Sequence, residues 1–504
     1  MGLQPSSGPE AVLSDDIHTA QPFQTLIENE FIHLLNGDDY GRENRRVRVL
    51  LGDQRKGVLT LSVPIAIALF VQNLNNIVDS FWVADLGQNS MASLGIVYPL
   101  YCILIGIGNG LGIGVSAAIA RNIGAKNRQD ANGVAAQSLV LTLLISIAMT
   151  IILIATIKPV INLMGGSDMM DECLDYGIPI YLGSFFIILS GVMSGMLRGE
   201  GAAKRSMAIQ VVGAVTNIIL DPLMIFGMDM GVAGAAWATV IAFIISSMMA
   251  FYWYLRSSDM YIRFERANFR FNWRLQKEIL NVGLPESVEL TVMNFFNVFL
   301  NLFVIMCSGN AGLAVYTMVW RIGYLAVIPA QALGGALVPV CSAEYGMKEF
   351  DMIRDAYRFT VKRAFLLLLA LSVVFAALAG FLADVFIRTD DMAFMHDDMV
   401  TFIYMMAIFL PPFSMTFVGS ALMQAVEKAG HAMVNTLMRN ILVTIAYWIA
   451  TMTMGSLFGI GVALIIVESL GGVAMVLHGK IVLERVIRRE RGSGPGSEPV
   501  ARAP

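Results

Sequence analysis

The sequence Thr216-Asn217-Ile218-Ile219-Leu220-Asp221-Pro222 lies within an apolar run that covers residues 207–228. A run of that length predicts a membrane-spanning helix, and a carboxylate inside it indicates a functional site because a buried charge is costly. Asn217 and Asp221 share one helical face, while Pro222 leaves the carbonyl group of Ile218 without its helical N–H partner. These oxygen atoms suit a hard cation or a proton. The alternative is a polar pair that only ties helices together.

The composition is that of an integral membrane protein with many spans, because 56% of the 504 residues are hydrophobic and only 14% are charged. The polar first 50 residues predict that the chain has no signal peptide. The four cysteines are far apart and the five histidines show no metal-ligand spacing, so neither a disulfide framework nor a resident cofactor is expected. The sequence shows no motif that would indicate a nucleic-acid partner. It also shows no nucleophile–base pair that would indicate an enzyme.

Twelve apolar runs alternate with loops whose charge also alternates. Basic residues concentrate before the first run, after the last run and in every second loop, for example at Arg121, Lys204, Arg363 and Arg439. By the positive-inside rule, these loops and both termini are cytoplasmic. The predicted spans, numbered one to twelve, are 57–84, 92–120, 134–157, 177–197, 207–228, 231–255, 281–307, 311–341, 362–387, 399–423, 437–455 and 459–479.

The two halves of the chain repeat each other. Leu61-Ser-Val-Pro64 resembles Val282-Gly-Leu-Pro285, and Gly124-Ala-Lys126 resembles Gly346-Met-Lys348. We therefore predict an all-α fold of two pseudo-symmetric six-helix bundles. Transporters of this design place the pathway between the bundles.

The predicted boundaries follow from the spans: a cytoplasmic tail (1–55), the first bundle (56–255), a cytoplasmic linker (256–277), the second bundle (278–480) and a second cytoplasmic tail (481–504). The first tail is either disordered or contains a short amphipathic helix. The apolar face of that helix would consist of Phe23, Leu26, Ile27, Phe31 and Leu34.

The repeat is broken at the acidic residues. Asp79 falls opposite Leu300, and Asp221 falls opposite Tyr447. At about 1.5 Å per residue from the outer ends of their helices, Asp79, Asp221 and Thr239 lie at a similar depth. Two carboxylates close together in low dielectric need a cation or a proton. One bundle alone is therefore predicted to hold the ion.

These features resemble the multidrug and toxic compound extrusion (MATE) family of cation-coupled antiporters, in its DinF-like branch, over residues 57–480. The resemblance rests on Pro64 with Asp79, on Leu197-Arg-Gly-Glu-Gly201, on the 216–222 stretch and on Gly231-Val-Ala-Gly-Ala-Ala-Trp-Ala-Thr239. It implies twelve helices in two V-shaped bundles that export amphipathic, often cationic compounds by alternating access, in exchange for Na⁺ or H⁺. It also implies a bend of span one at Pro64 and a cation site formed by Asp79, Asn217, Asp221 and Thr239.

The resemblance does not extend to an ion site in the second bundle. Other branches of the family use an acid nine residues after the span-seven proline and an aspartate in span ten. In this sequence Asn294 occupies the first of those positions, and no acid lies in 400–423. Glu286 and Glu289 follow Pro285 more closely and lie nearer the cytoplasm.

Further polar residues within the first bundle have two possible roles. They would line a drug chamber, or they would only form hydrogen bonds between helices. These residues are Gln72, Ser190, Ser194 and Gln210. The glycines of 106–114 predict a helix-packing face rather than a nucleotide-binding loop, because no strand precedes them and they do not match the required spacing.

The second bundle contains Arg321 within span eight, and an arginine inside a membrane needs a partner. A structural ion pair with Glu289 or Glu468 is the first interpretation, and a role in substrate or proton handling is the alternative.

The leading hypothesis is a monomeric cation-coupled antiporter in a prokaryotic plasma membrane that exports amphipathic small molecules. The alternative is a lipid-linked saccharide flippase, or another lipid or metabolite exporter with a similar two-bundle fold. Twelve spans and a single arginine within them argue against the flippase. The choice between Na⁺ and H⁺, and the natural substrate, stay open.

Overall fold

The computed structural model describes residues 42–387 and 390–492, and regular structure in that part of the chain is helical throughout. The helices form the twelve predicted spans. In chain order they are Gln54–Ala84, Gln88–Gly124, Arg128–Leu163, Met170–Leu182 with Ser184–Gly199, Ala203–Pro222, Gly231–Arg256, the two halves of Trp273–Met347, Phe350–Ala377 with Ala379–Phe386, His396–Ala425, Ala429–Thr453 and Leu457–Gly492. Short helical segments of one or two turns cover Ser167–Met169, Leu223–Gly227, Arg266–Phe269 and Asp390–Met395.

Spans seven and eight are the two halves of the 75-residue helix Trp273–Met347. A straight helix of that length would be about 110 Å long, far more than the hydrocarbon thickness of about 30 Å. Gly309 interrupts it with φ 63° and ψ −164°, values that only glycine adopts readily. On either side of this break, Cys307 Sγ lies 3.0 Å from Thr451 Oγ1 and the Tyr316 hydroxyl lies 3.3 Å from that of Tyr447. Both sides therefore reach the same helix, and the chain reverses at Gly309.

Span four is bent by 49° where Met170–Leu182 meets Ser184–Gly199. Gly183 separates the two segments and lies against Val240 of span six, with no room for a side chain. Span five ends in a related irregularity, because Pro222 is followed by the π-helical turn Leu223–Gly227. A proline removes one helical hydrogen bond, so a change of winding directly after it is expected.

The two bundles pack against each other through glycines of span two. A Cβ atom on Gly114 would lie 2.4 Å from the carbonyl oxygen of Ile279, and one on Gly110 would meet Ser287 at 2.3 Å. Helix backbones approach this closely only where side chains are absent. The predicted helix-packing role of the glycines is confirmed.

The linker packs on the end of the first bundle, and we call that side of the molecule the linker side. Glu200 accepts hydrogen bonds from the Tyr254 hydroxyl (3.0 Å) and the Tyr261 backbone N–H (3.1 Å). Asp259 forms ion pairs with Arg205 (3.0 Å) and Arg46 (2.7 Å).

Arg46 belongs to a helix, Arg42–Leu51, that the sequence analysis did not predict within the polar tail. Leu50 of this helix is buried and contributes to its packing. The amphipathic helix predicted between Phe23 and Leu34 lies outside the described residues.

Candidate functional site

Spans five and six bring three of the four predicted cation ligands together. The Asn217 side-chain amide donates to Asp221 Oδ1 at 2.8 Å and approaches Thr239 Oγ1 at 3.5 Å. Asp221 is fully buried, and Asn217 and Thr239 are less than a tenth exposed. The four-residue spacing of Asn217 and Asp221 produces the first contact, since both residues face the same neighbouring helix. The structure therefore groups these residues, and their role as ion ligands stays a prediction.

Span one completes the group from the other side. Asn75 donates its side-chain N–H to Asn217 Oδ1 at 2.9 Å. Two buried oxygens of this group, Asn75 Oδ1 and Asp221 Oδ2, have no hydrogen-bond partner among the described residues. Unpartnered carboxylate and amide oxygens in one buried place fit either Na⁺, which takes oxygen ligands, or a proton on Asp221. These oxygen atoms therefore fit either of the two predicted coupling ions, Na⁺ or H⁺.

A cavity of about 930 Å³, including its opening, lies beside these residues. The fourth predicted ligand, Asp79, lines it together with Asn217 and Thr239. The residues predicted to form the drug chamber line the same cavity: Gln72, Ser190, Ser194 and Gln210. Every residue that lines it belongs to spans one to six, so this cavity lies within the first bundle, and the pathway between the bundles stays a prediction. Helix tilt and rotation open the space inside the first bundle, and neither can be read from hydropathy.

Ser194 and Gln210 also form hydrogen bonds between helices. Ser194 Oγ lies 2.7 Å from Ser206 Oγ and accepts from the Gln210 amide at 3.1 Å. Arg198 donates to the same hydroxyl at 3.0 Å. Hydrogen bonding between helices and lining of the cavity therefore occur together, because these side chains bridge spans four and five at the cavity wall, and the drug-chamber role stays a prediction.

Sequence reasoning missed several residues of the cavity wall. Asn75 is four residues before Asp79 on the same helical face, and that spacing was a usable signal. The tyrosines Tyr98, Tyr101 and Tyr176 also line the cavity. Aromatic faces bind organic cations and apolar rings, but tyrosines scattered over two spans give no such signal in a sequence.

The second bundle contradicts the predicted Arg321 ion pair. Arg321 is exposed and forms no ion pair within the described residues, whereas Glu468 pairs with Arg439 at 2.5 Å. The assignment of Arg439 to a basic loop was also wrong, since it is buried inside Ala429–Thr453. The physical reason is the one that motivated the prediction: a buried guanidinium needs a carboxylate. The buried guanidinium is that of Arg439, and Glu468 pairs with it instead of with Arg321.

The other acids of the second bundle lie nearer the linker side. Glu289 accepts a hydrogen bond from Thr436 at 2.7 Å, and Glu286 accepts one from Gln424. The second carboxylate oxygen of Glu289 has no partner among the described residues. Neither glutamate is among the residues that line the cavity of the first bundle.

Comparisons with known proteins give the family. The MatE family profile matches residues 64–223 and 285–449, which is well over half of the chain. The multidrug export protein MepA of Staphylococcus aureus (strain MRSA252) is 24% identical over 440 residues, covering 86% of this chain and 94% of MepA.

Two solved structures are similar over nearly their whole length, each with 30% sequence identity. One is described as the outward-facing conformation of a multidrug resistance MATE family transporter of the MOP superfamily; its TM-score is 0.84, and the match covers 90% of this chain and 100% of that one. The other is a MOP superfamily transporter from Pyrococcus furiosus, whose description says that the reverse polarity of its binding pocket suggests a different function; its TM-score is 0.83, with 89% and 99% covered. The two segments matched by the family profile are the two halves of the internal repeat, and this chain belongs to the MatE family of membrane transporters.

Proposed function

We propose that this protein exports amphipathic, often cationic small molecules across a prokaryotic plasma membrane in exchange for Na⁺ or H⁺. The observation that carries the proposal is the fully buried Asp221 carboxylate, which has an unpartnered oxygen beside Asn75, Asn217 and Thr239 at the cavity of the first bundle. The description of the Staphylococcus aureus relative as a multidrug export protein supports the direction of transport. The motifs around Pro64, Asp79 and 216–222 support the DinF-like branch.

The cavity suits such substrates in chemistry. Small-molecule sites are lined by apolar groups with a few placed polar ones, and apolar, aromatic and polar side chains all line this cavity. Tyr98 and Tyr101 add aromatic rings to its wall, with ring centroids 5.9 Å apart. Asp79 supplies a negative charge for an organic cation. The same carboxylate cannot neutralise a drug cation and a coupling ion at once, which is the physical basis for exchange.

Ion pairs between the bundles close the linker side of the molecule. Arg55 of span one forms an ion pair with Asp355 of span nine at 2.6 Å, and Arg121 of span two pairs with Glu278 of span seven at 2.8 Å. By the positive-inside rule the linker side is cytoplasmic, with both termini on it. The arrangement is then closed toward the cytoplasm. Alternating access requires a second arrangement in which these pairs separate.

The test is transport of ethidium by the full-length protein in proteoliposomes. We expect ethidium movement under an imposed Na⁺ gradient at constant pH, or under an imposed pH gradient without Na⁺, and the gradient that drives it identifies the ion. Asp221→Asn should abolish the driven component and leave protein of normal size in the membrane. Absence of driven movement for ethidium and other amphipathic cations under both gradients would contradict the proposal.

A further inference from the structure

A second large concavity lies outside the bundle cores, between spans nine and twelve at the linker side of the second bundle. Its volume is about 920 Å³ including its opening. Arg358 and Lys362 border it on span nine, and Lys480 borders it on span twelve. Val361, Phe365 and Leu483 provide apolar walls between these cations. We call this concavity the basic groove.

Among the residues that the structure describes, four cations and one acid, Glu484, border the groove. Glu484 acts electrostatically on Lys480, and the nearby Asp355 acts on Arg358, so positive charge remains in excess. Arg354 also borders the groove, but its guanidinium is held by Glu484 at 2.6 Å and by Asp351 at 2.7 Å. Arg358, Lys362 and Lys480 are exposed and form no comparable ion pair within 42–387 and 390–492. Arg358 and Lys362 are four residues apart on one helical face, where like charges repel each other. An anion bound between the two helices would relieve that repulsion.

Apolar surface continues from the groove toward the middle of the membrane. Leu366 lies one helical turn beyond Lys362 on span nine and is 46% exposed. Val473 and Leu477 precede Lys480 on span twelve and are 43% and 55% exposed. The Tyr357 hydroxyl donates to the Val476 carbonyl at 3.0 Å and fixes the two helices at this level. Cations at the rim and apolar side chains one turn deeper match the order of groups in a phospholipid.

We propose that the basic groove binds the phosphate headgroup of an anionic phospholipid from the leaflet on the linker side, with an acyl chain along Leu366 and Leu477. A free phosphate would use the cations alone, whereas a phospholipid uses both the cations and the apolar surface beside them. Basic pockets between helices on the cytoplasmic side of membrane proteins are suited to anionic headgroups. This site is separate from the cavity of the first bundle and does not depend on the proposed transport activity.

The test measures lipid retention by the purified full-length protein in detergent, by native mass spectrometry. The probes are phosphatidylglycerol, phosphatidylcholine with matched acyl chains, and inorganic phosphate as a competitor. The groove variant is Arg358→Gln/Lys362→Gln/Lys480→Gln. The control variant is Lys126→Gln/Arg256→Gln/Lys277→Gln, which removes three exposed charges on the same side of the molecule, away from the groove.

We expect the wild-type protein to retain phosphatidylglycerol in preference to phosphatidylcholine. Each removed groove charge should weaken retention about fivefold, and the single change Lys362→Gln should reproduce one such step if the triple variant is poorly folded. The control variant should retain phosphatidylglycerol as the wild type does. Equal losses in both triple variants would overturn the proposal, because retention would then follow net charge. Displacement of the lipid by millimolar phosphate would also overturn it, because the groove would then be a plain anion site.

Discussion

The two bundles repeat each other in sequence and differ on one face of their fifth and eleventh spans. In the first bundle, Asn217 and Asp221 form a buried polar pair beside a cavity. In the second, Val443 and Tyr447 occupy the equivalent positions, and the Tyr447 hydroxyl meets that of Tyr316 at 3.3 Å. The first bundle therefore holds a buried acid with one oxygen unpartnered among the described residues, whereas the second holds a contact between two tyrosines. The difference shows that helix packing alone does not require a carboxylate at this position.

Two buried acids of the second bundle differ from Asp221 in their partners or in their position. Glu468 is paired with Arg439 from a neighbouring span, so its charge is compensated inside the protein. Glu289 resembles Asp221 more closely, because one of its oxygens is hydrogen-bonded and the other is unpartnered among the described residues. It differs in place, since Asp221 is hydrogen-bonded to Asn217, which lines the cavity of the first bundle, whereas Thr436, the partner of Glu289, does not line it. Position beside that cavity, rather than burial alone, should decide which acid takes part in transport.

The largest expected effect tests this distinction between acids. Asp221→Asn and Asp79→Asn should each reduce gradient-driven ethidium transport to the level of empty vesicles, since an amide can neither bind a proton nor neutralise a cation. Glu289→Gln, a matched change in the second bundle, should retain transport near the wild-type rate. Transport rates in proteoliposomes with equal protein content give the answer. Loss of transport in all three variants would break the comparison and extend the ion site to the second bundle.

The second effect concerns stability rather than transport. Arg439→Met should destabilise the protein by about 3–5 kcal/mol, because it leaves the Glu468 carboxylate buried without its counter-charge. The double change Arg439→Met/Glu468→Leu should recover most of that loss, as apolar side chains of similar size replace the pair. Asp221→Asn should cause no comparable loss, since no cationic side chain within 42–387 and 390–492 forms an ion pair with Asp221. Thermal unfolding in detergent measures all three, and equal destabilisation by Arg439→Met and Asp221→Asn would contradict the contrast.

Much of this architecture could be predicted from the sequence, for physical reasons. Long apolar runs and alternating loop charges determine the twelve spans, and the spacing of Asn217 and Asp221 determines their shared face. Whether a particular side chain of a helix is buried or exposed is harder to infer from the sequence. Arg439 lies in the third turn of span eleven, close to a basic loop, and only its contact with Glu468 distinguishes it from a loop residue. Arg321 shows the opposite error, because the rotation of its helix directs it outward.

The third prediction compares the two prolines that begin the repeats. Pro64 lies in span one, fifteen residues or about four turns before Asp79. Pro285 lies in span seven, and the residue fifteen positions after it is Leu300 rather than an acid. A proline weakens the helix locally, so we expect Pro64 to allow a bend of the helix that carries the acid. Ligand-driven bending requires that the ion bind one conformation better than the other.

Pro64→Ala should therefore spare ion binding and reduce the effect of the ion on drug affinity. Binding at one site commonly changes the affinity at a coupled site on the order of tenfold. In Pro64→Ala we expect the ion to leave the drug affinity almost unchanged. Pro285→Ala should retain the wild-type effect of the ion. Drug binding to each protein, measured with and without Na⁺ and across pH, decides the matter. Unchanged ion dependence in Pro64→Ala would mean that Pro64 is only a tolerated kink.

The smallest effect comes from Glu200 at the linker side. The alignment that places Asp221 opposite Tyr447 places Glu200 opposite the buried Val426 of the second bundle. Burial raises the pKa of the Glu200 carboxyl from its ordinary value of 4.5 to about 7, although hydrogen bonds from Tyr254 and Ile262 and nearby arginines act in the opposite direction. The folded protein then binds this proton more readily than the unfolded chain does. The corresponding stability is complete below about pH 4.5 and is lost as the pH rises through about 7, with an upper limit of about 3 kcal/mol.

Thermal unfolding of the wild type between pH 5 and 8 should include this loss, and Glu200→Gln should remove it because the amide does not ionise. Glu265→Gln, an exposed linker acid, is the matched control and should keep the wild-type slope. Parallel pH profiles for the wild type and Glu200→Gln would show that the charge is compensated in the linker contacts, and the two bundles would then not differ in pH sensitivity at this side.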